Sequence, residues 1–171
     1  KVKFNREYLP ILAAFMAVND VRYYLNGFHV KSHPECGVIL TATDGHRLVT
    51  IYDKDGISDG DYILPISKPL LKSAKKSSVN CLPLNSIQFI DNKVYVLQQN
   101  SDETGFFEDD NESPMEQVYH VEYIAEIDGR FPNTKRIFDG FDFKPVDCIG
   151  VNVEYIGKLK AVCTNLKFPL L

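Results

Sequence analysis

The chain has 171 residues, 44% of them hydrophobic and 25% charged, with a formal net charge of −4. That length can bury the core of one domain, or of one and part of a second, and the composition argues against a disordered chain. No apolar run approaches a membrane span and no signal-peptide pattern opens the sequence, so neither a helical membrane protein nor a secreted one is expected.

The elements follow a repeated order of apolar strand, polar cap and helix. The first set is "KVKF", Asn5 and "REYLPILAAFMA"; the second is "DYILPI", Ser67 and "KPLLKSAKK"; the third is "CIGV", Asn152 and "VEYIGKLKAVC". Asn and Ser side chains accept the free N–H groups of a helix start. Pro69 falls in the first turn of the second helix, where its missing N–H costs little. Pro10 lies close enough to the first cap either to be tolerated or to move the helix start. Strand-like segments fill the intervals: "VRYYLNGFHVKS", "GVILTATD", "HRLVTIYD", "SIQFID", "KVYVLQQ" and "QVYHVEYIAEI". "TDGH" and "IDNK" read as hairpin turns. The pattern suits an α+β fold made of duplicated βαβββ units, with antiparallel sheets and two helices per domain.

Charge is segregated along the chain. Residues 101–117 carry seven acids and no base, and without them the formal balance moves from −4 to +3. That segment reads as a solvated surface loop. On the second helix Lys68, Lys72, Lys75 and Lys76 share one side, opposite Leu70, Leu71 and Ala74. The third helix adds Lys158, Lys160 and Lys167. A solvated helix face is the plain reading of such lysines, yet this segregation also suits attraction to phosphates, and with no reader of base edges in view any DNA would be bound loosely and without sequence preference. The widely spaced Cys36, Cys81, Cys148 and Cys163 contain no CxxC pair and read as reduced thiols of a cytosolic protein, mostly in the core. His29, His33 and Cys36 lack a second ligand pair at a zinc-binding spacing, so neither a metal nor a cofactor is expected. A hydrolase built on His46 with Asp44 or Asp128 would lack a nucleophile motif.

Three stretches carry a specific resemblance. "DVRYYLNG" (Asp20–Gly27), "ATDGHRL" (Ala42–Leu48) and "DGRFPNTKRIF" (Asp128–Phe138) stand in the order and near the spacing of the middle domain of the bacterial sliding clamp, the beta subunit of DNA polymerase III. The resemblance covers residues 1–138. It implies a DNA-clamp domain there, a linker over 139–147, and over 148–171 the first strand and helix of a following clamp domain, incomplete. The opening "KVKFNREYL" is similar to the start of a clamp, which implies a shortened member.

In that family helices line the hole of a ring and sheets form its outside. The ring encircles duplex DNA and tethers polymerases and repair proteins, which dock short linear peptides. The resemblance therefore implies a non-enzymatic processivity factor of DNA replication: a cytoplasmic homo-oligomer that is loaded by a clamp loader and has no membrane association. The alternative is a ring-less clamp-like module that binds the same peptides without encircling DNA.

By the same resemblance Leu25, Thr43, Gly45, His46, Arg47 and Leu48 contribute to a peptide pocket, with Pro132, Arg136 and Ile137 from the third stretch. Leu25, Leu48, Pro132 and Ile137 would supply apolar surface, Thr43, His46 and Arg47 polar anchoring, and Gly45 close approach. Tyr23 and Tyr24 match positions near the DNA-facing rim, where rings stack on unpaired bases, with Asn19 and Arg22 beside them. Read as part of a strand, only one of the two tyrosines can face the core. Arg130 is read as structural.

Overall fold

The computed structural model describes residues 1–75, 84–98, 118–139 and 144–166. Among these residues nine strands form two antiparallel sheets in this order: β1 (Val2–Asn5), β2 (Gly27–Ser32), β3 (Val38–Thr43), β4 (Leu48–Asp53), β5 (Ile57–Ser58), β6 (Tyr62–Pro65), β7 (Leu84–Ile90), β8 (Lys93–Gln98) and β9 (Val118–Tyr123). The helices are α1 (Leu9–Phe15), α2 (Lys68–Lys75), α3 (Lys135–Phe138) and α4 (Val153–Leu166). The expected α+β class is the observed one.

The expected caps form as hydrogen bonds. Asn5 Oδ1 accepts from the Glu7 amide at 3.0 Å, Ser67 Oγ from the Leu70 amide at 3.0 Å, and Asn152 Oδ1 from the Glu154 amide at 2.9 Å. Pro10 moves the first helix: a 3-10 turn fills Arg6–Tyr8, and α1 starts at Leu9 with the proline in its first turn. A proline in the first turn loses no helical bond. In "IDNK", Asp91 and Asn92 take φ of 48° and 62°, the left-handed pair that a two-residue hairpin turn requires.

Each βαβββ unit lends its first strand to the other. The sheets run β5-β1-β7-β8-β9 and β4-β3-β2-β6. β1 pairs with β7 through Phe4↔Ile87 and its neighbours, and β6 pairs with β2 through Phe28↔Leu64. The helices stay with their own units, α1 against β3 and β4, α2 against β8 and β9. Alternation sends Val2 and Phe4, Phe28 and Val30, and Val38, Leu40 and Ala42 into one shared core. Phe4 meets Phe28 edge-on at 5.6 Å and lies along Phe89 at 6.1 Å, so one ring from an exchanged strand joins both sheets.

Several expectations are corrected. The strand expected from Val21 begins only at Gly27, and Tyr23–Leu25 form a 3-10 turn. Side chains hold that loop: Asp20 accepts from the Arg22 amide, and Asn26 accepts from the Asp20 amide and donates to its carbonyl. These local bonds replace a strand ladder. No strand forms at 148–151, where the chain is exposed and irregular; a strand needs a free edge beside it. Helix α4 does form and packs on α1 and the Arg6–Tyr8 turn. Cys36 and Cys148 are exposed and not in the core; Cys36 sits on the tip between β2 and β3, where no core reaches. The acidic stretch 101–117, Cys81, Lys76 and Lys167 lie outside the described residues.

The outer strand β9 reverses the usual polarity. Tyr119, Val121 and Tyr123 are exposed, while His120 and Glu122 turn inward. Glu122 accepts from Ser67 at the start of α2 and lies 3.3 Å from His120 Nε2, so this inner face serves the helix end and not the apolar core.

Replacing Phe4 with Ala is expected to destabilise the chain by about 3–5 kcal/mol, because it empties the contact between both sheets. The exposed change Tyr123→Ala should stay within about 0.5 kcal/mol. Urea unfolding followed by circular dichroism measures both, and equal midpoints for the two variants would contradict the assigned core.

Candidate functional site

The loop Asp44–Arg47 closes the β3–β4 hairpin beyond the Thr43↔Leu48 pair. Thr43 Oγ1 donates to the Arg47 carbonyl at 2.6 Å and accepts from the Gly45 amide at 3.0 Å. Asp44 Oδ1 accepts from the amides of His46 and Arg47, at 3.0 and 2.9 Å. Its Oδ2 takes Nε of Arg47 at 3.1 Å and also pairs with Nη2. Gly45 has φ of +89°, which favours a residue without a Cβ. Burial raises the Asp44 pKa, but donation from the Arg47 side chain and from the His46 and Arg47 amides outweighs it, so the net direction is down.

Arg22 ties the first loop to this turn. It forms a two-pronged pair with Asp20, Nε at 3.0 Å and Nη2 at 2.8 Å, and Nη2 also donates to the Asp44 carbonyl at 3.3 Å. The guanidinium lies over Gly45 so closely that a Cβ there would stand 2.7 Å from Nη1. Hydrogen bonds from Arg22 bring the Asp20 carboxyl down to about 2. The third stretch joins at Gly129, where a Cβ would stand 3.2 Å from both Tyr23 and Tyr24. The two tyrosine rings meet edge-on at 5.8 Å.

The nine residues expected at a peptide pocket differ in what they present. Leu25 is 2% exposed and Thr43 8%, with the Thr43 hydroxyl held inside the turn, so both shape the site from beneath. Arg47 and Leu48 are half-buried, and Gly45 and His46 are exposed. Pro132, Arg136 and Ile137 are exposed on the strap before α3 and on α3 itself.

Tyr155 of α4 completes the cluster, and sequence reasoning missed it. Its ring stacks on His46 at 6.1 Å, with 18° between the planes, and lies 5.0 Å from the Arg47 guanidinium. Phe15 of α1 stands 5.8 Å from the same guanidinium. Nη1 of Arg47 is buried and has no hydrogen-bond partner among the described residues, so ring faces supply part of its environment. Its contact with His46 and Arg47 spans more than a hundred residues of sequence, which no local pattern records.

Of the residues expected at DNA, Asn19 is exposed with φ of 55°, Tyr23 is exposed and Tyr24 half-buried. Arg22 is engaged by Asp20. Lys68 and Lys72 are exposed on α2, which Lys75 closes. Among the described residues, no group of three or more His, Cys, Asp or Glu is placed to hold a metal. His29 instead stacks on Phe131 at 5.0 Å, and His33 faces Tyr52. No described helix is long and apolar enough to cross a membrane.

The chain is similar to solved bacterial sliding clamps. It is 19% identical to the beta subunit of DNA polymerase III from Pseudomonas aeruginosa over 80% of this chain and 34% of that one, with a TM-score of 0.48. The sliding clamp of Bartonella birtlesii bound to griselimycin gives 19% identity, coverage of 79% and 33%, and a TM-score of 0.49. The beta chain of DNA polymerase III from Streptococcus pneumoniae gives 18%, 85% and 33%, and 0.49. The chain thus spans about a third of the length of the clamps it matches. No protein-family model matches it, and neither does any curated protein.

Both loop carboxylates should titrate below the ordinary aspartate value of about 3.9. Their depressed pKa values contribute stability above the unfolded value, which is lost as pH falls through the folded one. For Asp20 that window lies between about 4 and about 2. Carboxyl carbon shifts followed by NMR from pH 6 downward, at roughly half-unit steps, test this. The Asp20 midpoint should sit near 2 and return toward the ordinary value in Arg22→Ala.

Proposed function

We propose that this chain is part of a DNA sliding clamp, a processivity-factor subunit that encircles duplex DNA and docks polymerase and repair partners through a peptide site. One observation carries the reading. The three stretches that resemble the clamp's middle domain are far apart in sequence, yet they meet. Arg22 of the first lies on Asp44 and Gly45 of the second, and Gly129 of the third packs on Tyr23 and Tyr24 of the first. A recognition surface needs this convergence, whereas unrelated hairpins do not.

The peptide site is centred on His46, Arg47 and Leu48, with Tyr155 as a further wall and Pro132, Arg136 and Ile137 as the far side. Apolar anchors of a partner peptide bind against Leu48 and Ile137, and the Arg47 guanidinium and His46 imidazole orient its polar groups. The exposed lysines of α2 face the DNA backbone, with Tyr23 and Asn19 at the rim. Ring closure uses the outward face of β9, whose Val121 and Tyr123 stand exposed on a strand with no partner beyond it among the described residues. In this reading the protein acts in the cytoplasm, is placed on DNA by a clamp loader and performs no chemistry itself. Tethering raises the local concentration of a weakly bound partner.

A labelled peptide with a Gln followed by Leu and Phe anchors should bind with micromolar or weaker affinity, about −8 kcal/mol or less in magnitude. Each buried anchor contributes about 1.5–3 kcal/mol before ordering costs, so Leu48→Asp should weaken binding at least about tenfold in an anisotropy titration. Equal binding by both proteins would remove the hairpin from the site.

DNA binding should fall steeply with salt and disappear when Lys68, Lys72, Lys75 and Lys76 are all changed to Glu. Affinity insensitive to salt, or unchanged in that variant, would take the basic helix out of the reading. Mass in solution tests the ring, and Val121→Lys should reduce any association.

A further inference from the structure

A second cleft lies on the opposite side of the four-stranded sheet from the core. It encloses about 630 Å³ between the outward sheet face and residues 126–135, which cross that face as a strap. This volume is within the range of clefts that hold a small ligand. The strap is pinned at one end by the Ile127 amide, which donates to the Ile63 carbonyl at 2.9 Å and so lies along the free edge of β6. Farther on, Phe131 stacks on His29 at 5.0 Å with the planes 10° apart.

The floor is one row of neighbours across the sheet: Ile63 beside His29, His29 beside Thr41, Thr41 beside Thr50. It offers two hydroxyls and an imidazole. Burial lowers the His29 pKa, the Asp61 charge opposes that and the Lys31 charge adds to it. The ring is therefore neutral at neutral pH and presents one donor and one acceptor. Hydroxyls and a neutral imidazole pair with the amide groups of a peptide backbone, and Phe131 and Pro132 add an apolar wall.

The rim holds both signs of charge. Asp61 precedes β6 and Glu126 precedes Ile127, so both acids flank the β6 edge. Arg130 and Lys135 come from the strap on either side of the Phe131 stack, and Lys31 follows His29 by two residues on β2. Among the described residues these five side chains have no ion-pair partner. Unpaired charges of opposite sign around a neutral hydrogen-bonding floor fit a dipolar ligand better than a purely anionic or cationic one.

We propose that this cleft binds a short dipolar peptide, its ammonium group toward Asp61 and Glu126 and its carboxylate toward Arg130 and Lys135. This site is separate from the one at His46, and only Pro132 belongs to both. A ligand here needs neither a ring nor DNA, so the proposal stands or falls apart from the clamp reading.

The probe is the free tripeptide Ala-Leu-Ala, which lacks the Gln-Leu-Phe pattern, titrated into the whole isotope-labelled chain and followed by amide shifts. Saturable shifts are expected at His29, Thr41, Thr50 and Phe131, and not at His46 or Arg47. Acetylating its N-terminus or amidating its C-terminus should each weaken binding by about fivefold, the scale of one exposed ion pair. Arg130→Glu should reduce affinity for the free peptide and not for the amidated one, while its thermal unfolding matches the parent chain. No saturable shift at the four residues, or equal binding of the free and blocked peptides, overturns the proposal.

Discussion

The exchange of first strands between the two βαβββ units is the constraint on which everything else rests. β1 is hydrogen-bonded into the sheet of the second unit and β6 into that of the first. Neither unit can therefore complete its sheet alone. The Phe4 ring, carried on an exchanged strand, touches Phe28 in one sheet and Phe89 in the other. Burying large rings across that seam makes the halves one cooperative core, since separating them exposes apolar surface on both sides. With the seam fixed, β2, β3 and β4 are held side by side, and their loops emerge at defined places.

Those loops are rigid for local reasons. Asp44 collects the amides and the guanidinium of its own turn, and Asp20 does the same for the loop before β2. Carboxylates that accept several N–H bonds stay ionised and hold the backbone still. Arg22 then links one loop to the other through the Asp44 carbonyl. The exposed His46 imidazole thus stands on a frame whose parts are each tied down, which lowers the ordering cost of any contact made there.

The sheet faces divide the remaining surface into kinds. The strap from Ile127 to Lys135 roofs the outward side of one sheet and leaves a polar cleft with charged rims. The other sheet ends at β9 with apolar side chains facing out and polar ones facing in. The inward polar pair is explained by Ser67, whose hydroxyl caps α2 and donates to Glu122. The outward Tyr119, Val121 and Tyr123 are exposed, and an apolar face on the last described strand of a sheet is a surface for protein contact.

What the sequence determined by itself was local. Asn5, Ser67 and Asn152 could be read as caps because a cap depends on the next three residues only. The "IDNK" turn was legible because left-handed backbone at two successive positions selects Asp and Asn. The duplicated unit and the alternation of apolar residues followed from the same short-range periods. Local pattern does not fix where Pro10 places the helix start, and Asp20 and Asn26 turn an expected strand into a 3-10 turn through side-chain bonds that periodicity does not record. Only the tertiary structure decided which edges meet, so the strand exchange could not be read from pattern. It also decided that Thr43 and Leu25 lie beneath the surface, that Tyr155 stacks beside His46 and near Arg47, and that the strap leaves a cleft over His29. The reason is physical: alternation specifies which face of a strand is buried, but the partner across an edge is chosen by the shape of the whole core.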